Sequence, residues 1–201
     1  MRYRQHLVRR CSVAIAVVIA AVGALLTPGQ AHAEQPGEPV DPMAQALQLV
    51  QSDDPFQRQL GFLRLEAMRS PSSAETIRRY LEDRNEDTRA FSVRALAAVQ
   101  GSAAIPTLLQ KLNTDKSPTV RRAVLLGLEP LHSKDPDVFS AMIGALRDRS
   151  PEVRMSAVDI VSRINDPRAR DAIFERKKRE RRRDVQRVLN LAMKRLGNNV
   201  Q

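Results

Sequence analysis

The stretch Leu112-Asn113-Thr114-Asp115-Lys116-Ser117-Pro118-Thr119-Val120-Arg121 is echoed by Leu146-Arg147-Asp148-Arg149-Ser150-Pro151-Glu152-Val153-Arg154 and, more loosely, by Leu81-Glu82-Asp83-Arg84-Asn85-Glu86-Asp87-Thr88-Arg89. Aligning the arginines carries the series back to Gln57-Arg58, behind Asp54-Pro55, and forward to Val185-Gln186. The register positions 57, 88, 120, 153 and 185 lie 31, 32, 33 and 32 residues apart. A fixed period of this length marks stacked supersecondary units, none of which can bury its apolar face alone.

Each unit reads as two antiparallel helices. Ser117-Pro118 and Ser150-Pro151 put a capping hydroxyl before a proline at the first helical position, where the missing N–H costs no hydrogen bond; Asp54-Pro55 does the same with a carboxylate. These pairs start second helices. Eight and eleven residues past register stand Leu65/Met68, Leu96/Val99, Leu128/Leu131, Val161/Ile164 and Met193/Leu196, all apolar. Four past register stand Gly61, Ser92, Val124, Ala157 and Leu189, mostly small, as close helix approach requires. That spacing is a helical stripe, and strand alternation is absent. First helices carry a matching stripe, for example Ile105, Leu108, Leu109, Leu112 and Val138, Met142, Ile143, Leu146. Breakers at Ser70-Pro71-Ser72-Ser73, Gly101-Ser102, 133–136 and Asn165-Asp166-Pro167 divide the chain into units of about 42–70, 71–101, 102–133, 134–165 and 166–197.

The Asp-x5-Arg spacing at Asp83/Arg89, Asp115/Arg121 and Asp148/Arg154, the Ile105-Pro106 of a first helix and the Val-Arg-x-x-small opening of second helices resemble HEAT repeats, in the short bacterial form related to phycobilisome lyases. The resemblance spans about residues 42–197 and implies an all-α fold, a right-handed α-solenoid of about five helix-turn-helix repeats. It also implies a structural ladder between stacked repeats made by Asp83, Arg89, Asp115, Arg121, Asp148 and Arg154. The first unit has Ser52 and Arg58 and the last has Glu180 and Gln186, so the implied ladder stops short of both ends. The Thr-Pro-Leu-His turn of ankyrin repeats is missing, as are the aromatics of tetratricopeptide repeats.

Ahead of the repeats, Arg2, Arg4, Arg9 and Arg10 precede an uncharged run from Cys11 to Leu26, then Thr27-Pro28-Gly29 and Ala31-His32-Ala33. A basic start, a short apolar run and a small-x-small site predict a signal peptide over residues 1–33, cleaved after Ala33. Residues 34–41 read as a flexible leader. The alternative is an uncleaved anchor, but the apolar run would reach only about 24 Å against a bilayer core of about 30 Å. The predicted location is therefore the periplasm or the exterior, with no transmembrane span in the mature chain.

Composition narrows the chemistry. The chain has 201 residues, 42% of them hydrophobic, which suffices for one domain with a core. Its single cysteine falls in the predicted signal, and His132 is the one histidine after residue 33, so disulfides, thiol catalysis and multi-histidine metal sites are not expected. Glu86-Asp87 and Asp53-Asp54 are carboxylate pairs at helix starts, where capping accounts for them. No cofactor is expected. Six past register, Leu63, Arg94, Leu126, Asp159 and Leu191 vary in character where core positions do not.

The net charge of +10 is uneven: residues 34–167 carry −2 and residues 168–201 carry +8. Arg176, Lys177, Lys178, Arg179, Arg181, Arg182 and Arg183 make up a candidate anion patch, with Arg176, Arg179 and Arg183 put on one side by helical spacing. The other reading is a solvated end of the stack. These features together lead to the expectation of an exported, non-enzymatic scaffold that binds another protein. Binding of a polyanion or anionic membrane through the basic end is the second reading, with nucleic acid disfavoured. A lyase-like or other enzyme activity ranks third.

Overall fold

The computed structural model describes residues 41–198, so the expectations placed on the signal peptide and on leader residues 34–40 lie outside the described residues. Ten α-helices fill this span: α1 Pro42–Val50, α2 Pro55–Met68, α3 Ala74–Arg78, α4 Glu86–Gln100, α5 Ile105–Thr114, α6 Pro118–Leu128, α7 Pro136–Ala145, α8 Pro151–Val161, α9 Pro167–Arg179 and α10 Arg183–Asn198. Short 3-10 turns at Pro71–Ser73 and Gly101–Ala104 lead into α3 and α5, and one at Glu129–Leu131 extends α6. No strand occurs among the described residues.

The capping chemistry that starts second helices also starts first ones. Asp41, Asp135 and Asp166 each accept a backbone N–H two residues on, ahead of a proline at the first position of α1, α7 and α9. Asp54 and Ser117 do so for α2 and α6, while Ser150 takes the N–H of Val153 in α8. Asn85 caps α4 through the N–H groups of Asp87 and Thr88, so Glu86 and Asp87 lie in its first turn. Each such cap is worth about 1 kcal/mol, and together they fix where the chain turns.

The even-numbered second helices stack directly on one another, and each odd-numbered first helix lies against its own second helix. First helices of successive repeats scarcely touch. The second-helix side is thus the tight, inner side of an all-α solenoid. Close approach is visible at two glycines. A Cβ on Gly61 would lie 2.6 Å from the Val50 nitrogen, so α1 and α2 meet backbone to backbone. A Cβ on Gly127 would lie 2.9 Å from the Ala97 Cβ, which brings α4 and α6 together.

The core follows the register. Positions four past it (Gly61, Ser92, Val124, Ala157, Leu189) are all buried, as are Leu65, Leu96, Leu128 and Val161 eight past it; Met68 and Met193, at the ends, are half-buried. The five-past positions Phe62, Val93, Leu125 and Val158 are buried too, between one second helix and the next. At roughly 1.5–3 kcal/mol for each large side chain, this stripe supplies most of the cohesion of the stack.

Polar junctions set the register. Arg89 pairs with Asp115 at 3.0 Å, Arg121 with Asp148 at 2.7 Å and Arg154 with Glu180 at 2.8 Å, each through two guanidinium nitrogens. Each arginine reaches the acid of the following repeat. The aspartate six residues before it receives instead a bond on its backbone carbonyl: Arg89 donates to Asp83 O at 2.8 Å, Arg121 to Asp115 O at 2.9 Å and Arg154 to Asp148 O at 2.9 Å. The carboxylates also accept the N–H two residues on, as in Ser117 N to Asp115 Oδ1 at 2.9 Å and Ser150 N to Asp148 Oδ1 at 2.7 Å. One side chain therefore shapes its own turn and locks the preceding unit.

The ladder runs further than the three implied pairs. Arg58 stands 3.7 Å from Asp83, and Glu180 serves where aspartate is missing. Gln186 replaces the last arginine and donates to Lys177 O at 3.0 Å and Glu180 O at 2.7 Å. Burial of Glu180 alone would raise its pKa, yet the bonds from Arg154, the Arg182 N–H and Arg176 outweigh it and hold the carboxyl at about 2. Asp115 and Asp148 are likewise lowered, burial being outweighed by Arg89 and Arg121.

A candidate groove where the inner ion pairs are interrupted

The exposed face of the second helices carries its own row of cross-repeat pairs. Arg94 on α4 meets Glu66 on α2 at 2.9 Å. Arg163, just past α8, meets Glu129 at 2.8 Å. Arg195 on α10 reaches Asp159 on α8 at 3.3 Å and the Ser162 hydroxyl at 2.8 Å. Between α4 and α6 the row breaks, because Ala97 and Leu126 stand where Glu66 and Arg94 stand one junction earlier.

The break opens a groove of about 520 Å³, lined by Ala97, Ala98, Gly101, Leu126, Gly127, Pro130 and Leu131 with Glu66, Arg69 and Arg94 on its rim. Small residues give it depth. Leu126 is 45% exposed, a large apolar side chain left facing solvent. A smaller hollow of about 230 Å³ lies on the other side of Arg94 and Leu126, bordered by Phe91 and Arg122. The six-past-register series thus divides into exposed leucines at Leu63, Leu126 and Leu191 and paired charges at Arg94 and Asp159.

Two rim residues depart from structural economy. Arg69 ends α2 in the left-handed helical region at φ 51° and ψ 30°, whereas the next second helix ends on a glycine, Gly101, at φ 54° and ψ −128°. A non-glycine residue held there costs about 1–2 kcal/mol. Glu66 bonds Arg94 through one carboxylate oxygen, while its Oε2 is buried without a partner among the described residues. A groove of this volume, lined about equally by apolar side chains and polar groups, has room for a ligand that presents both an apolar face and carboxylates.

The candidate anion patch is not the single helical face that its spacing predicts. Glu180 must turn to meet Arg154, so α9 ends at Arg179, Glu180 is extended at φ −75° and ψ 132°, and α10 starts anew at Arg183. Arg176 pairs with Glu180, Lys178 with Glu175 at 2.7 Å and Arg182 with Asp184 at 2.8 Å. Lys177 is half-buried, and Arg179, Arg181 and Arg183 remain exposed without an acid partner among the described residues. The helix break was readable: Glu180 occupies the ladder's aspartate position. His132 uses Nδ1 on the Glu129 carbonyl at 2.7 Å, at the end of the α6 extension.

Family models and relatives agree with this geometry. The HEAT repeats model matches residues 40–129 and 105–194, most of the chain. A 52-residue segment is 42% identical to phycocyanobilin lyase subunit beta of Nostoc sp. (strain PCC 7120 / SAG 25.82 / UTEX 2576), and it spans 26% of each protein. The structure of the complex of CpcE and CpcF of phycocyanin lyase from Nostoc sp. PCC7120 contains a similar chain: TM-score 0.59, 21% identity, 75% of this chain and 96% of that one covered.

These relatives correct the functional expectation. The expectation of an exported, non-enzymatic scaffold, with anion binding second and lyase-like activity third, rests on the repeats, the export signal and a missing catalytic inventory. A segment of this chain is 42% identical to a phycocyanobilin lyase subunit, so a missing catalytic inventory does not carry the reading of a non-enzymatic scaffold. The repeat register, the junction ladder and the family model lead to one identification: the chain belongs to the HEAT-repeat family.

Proposed function

We propose that this chain is a lyase-type HEAT subunit that works with a second protein chain and seats a bilin-type chromophore in the groove between α4 and α6. The observation that carries the reading is the segment 42% identical to a phycocyanobilin lyase subunit. The similar solved chain, itself part of a two-chain complex, is in keeping with a protein partner.

The groove chemistry supports the same reading. A linear tetrapyrrole presents a flat apolar body, propionate carboxylates and pyrrole N–H donors. Ala97, Ala98, Leu126 and Pro130 offer an apolar bed, and Arg69 and Arg94 offer guanidinium forks for carboxylates. The role assigned is seating and orienting the chromophore, which lowers the entropic part of a transfer barrier. Bond making is left to the assembled complex.

The test is an absorbance titration of phycocyanobilin with the purified chain, followed by covalent transfer to an acceptor protein in the presence of a companion subunit, read as bilin fluorescence under denaturing conditions. Saturable binding and increased transfer are expected. Arg69→Glu with Arg94→Glu, or Ala98→Trp to fill the groove, should each weaken binding at least 10-fold while circular dichroism stays unchanged. Absence of both binding and transfer in the unmodified chain sinks the reading.

A further inference from the structure

In the interior of the stack, four positions of a second helix face the next repeat. In α4 they are Glu86, which accepts the Ser117 hydroxyl of the next unit, Ala90, Val93 and Ala97, the last two lying against Gly127 of α6. In α10 the same register positions are Arg183, Arg187, Asn190 and Lys194, all exposed. Spaced four, three and four residues apart, they form one stripe along the outward face of the helix. Asn190 stands where Phe62, Val93, Leu125 and Val158 are buried.

Polarity at this end needs no partner to explain it; uniform sign does. A cap could alternate charges, and like charges four apart on a helix, as Arg183 and Arg187 are, destabilise it. Nearby in sequence, Arg176, Lys178, Arg182 and Arg195 each have an acid partner, while Arg179 and Arg181, like the stripe, have none among the described residues. Arg183, Arg187 and Lys194 have none among the described residues. The opposite end is built differently. There Gln57 and Arg64 replace residues buried in every later unit, and Arg64 is tied down by a 2.6 Å bond to Gln45 within its own repeat.

We infer that the outward face of α10, through Arg183, Arg187 and Lys194 around Asn190, is the docking surface for an acidic face of a second, folded protein chain. The inference deepens the two-chain part of the proposed function and rests on it. Complementary charge at such an end face steers encounter and fixes orientation, and it is sensitive to salt.

A photo-reactive benzophenone amino acid placed at Asn190 of the full chain, irradiated in its own cells, tests this. The expected product is an adduct to another protein whose crosslinked peptide holds more Asp and Glu than Lys and Arg. The yield should fall at least 10-fold in R183E/R187E/K194E and with added salt in lysate, while circular dichroism of the variant is unchanged. The same probe at Gln57 should give no such adduct. Overturning results are an adduct to nucleic acid, lipid, a second copy of this chain or a basic peptide; equal yield from Gln57 or from the triple variant; or no adduct. Phycocyanobilin titration of the purified chain needs no partner, so its success beside a failed crosslink would reject this docking face and leave the seating role intact.

Discussion

Two rows of arginine–carboxylate pairs run along the same stack, and only one of them is complete. The junction row spans all four repeat boundaries, from Arg58–Asp83 to Arg154–Glu180. The inner row is missing at the boundary between α4 and α6, where the groove opens. Arg89, Arg121 and Arg154 of the complete row are sunk among loop carbonyls, whereas inner-row members such as Arg163 and Asp159 are 42% and 47% exposed. A row that closes every boundary is architecture; a row with a gap leaves room for something else.

The contrast breaks most visibly if Arg121 is removed. Arg121→Ala strands the Asp148 carboxylate and frees the Asp115 carbonyl, so a loss of about 3–5 kcal/mol is expected in urea unfolding. A loss below about 1 kcal/mol would make the two rows equivalent. Acid should act on the same row. Glu180, Asp115 and Asp148 have folded pKa values below their unfolded ones. Their stabilisation is therefore fully present above the usual carboxylate range near pH 4 and is lost as pH falls toward about 2, the Glu180 value. Midpoints of thermal unfolding measured from pH 5 to pH 2 should fall less steeply in Glu180→Gln than in the unmodified chain.

Smaller effects belong to the groove and the inner row. Arg69→Gly relieves the left-handed backbone and should raise stability by about 1 kcal/mol while weakening bilin binding several-fold, a gain in one property against a loss in the other. Unchanged binding in that variant would remove Arg69 from the site. Arg163→Ala is expected to cost at most about 1 kcal/mol and to leave bilin binding unaltered, since its pair with Glu129 is half exposed and lies outside the groove.

Much of this was legible in the sequence because repetition averages out local ambiguity. Ser-Pro and Asp-Pro caps, the small residue four past register and the apolar pair at eight and eleven located the second helices, and each reappears in the packing. The ladder was legible in its members and not in its pairing. Spacing joins Asp115 to Arg121 within one unit, but the guanidinium reaches forward to Asp148, a contact created by stacking. Glu180 stands at the ladder's acid position, yet a strict Asp–Arg pattern counts it as a loss; the turn it makes to reach Arg154 also divides the basic run. The groove was not legible at all. It needs Ala97 on one helix, Leu126 on another and the backbone twist of Arg69, and no local pattern joins three residues from three repeats.

Gln186 has a consequence for how this scaffold changes length. Its amide satisfies the Glu180 carbonyl as arginine does in earlier units, but it is neutral and calls for no carboxylate beyond. Growth by duplication is therefore directional. A copied unit spliced near His132 finds an acid ahead and a guanidinium behind and inherits the grammar of its neighbours. A unit grafted beyond α10 meets an amide and a charged stripe, and finds no syntax to join.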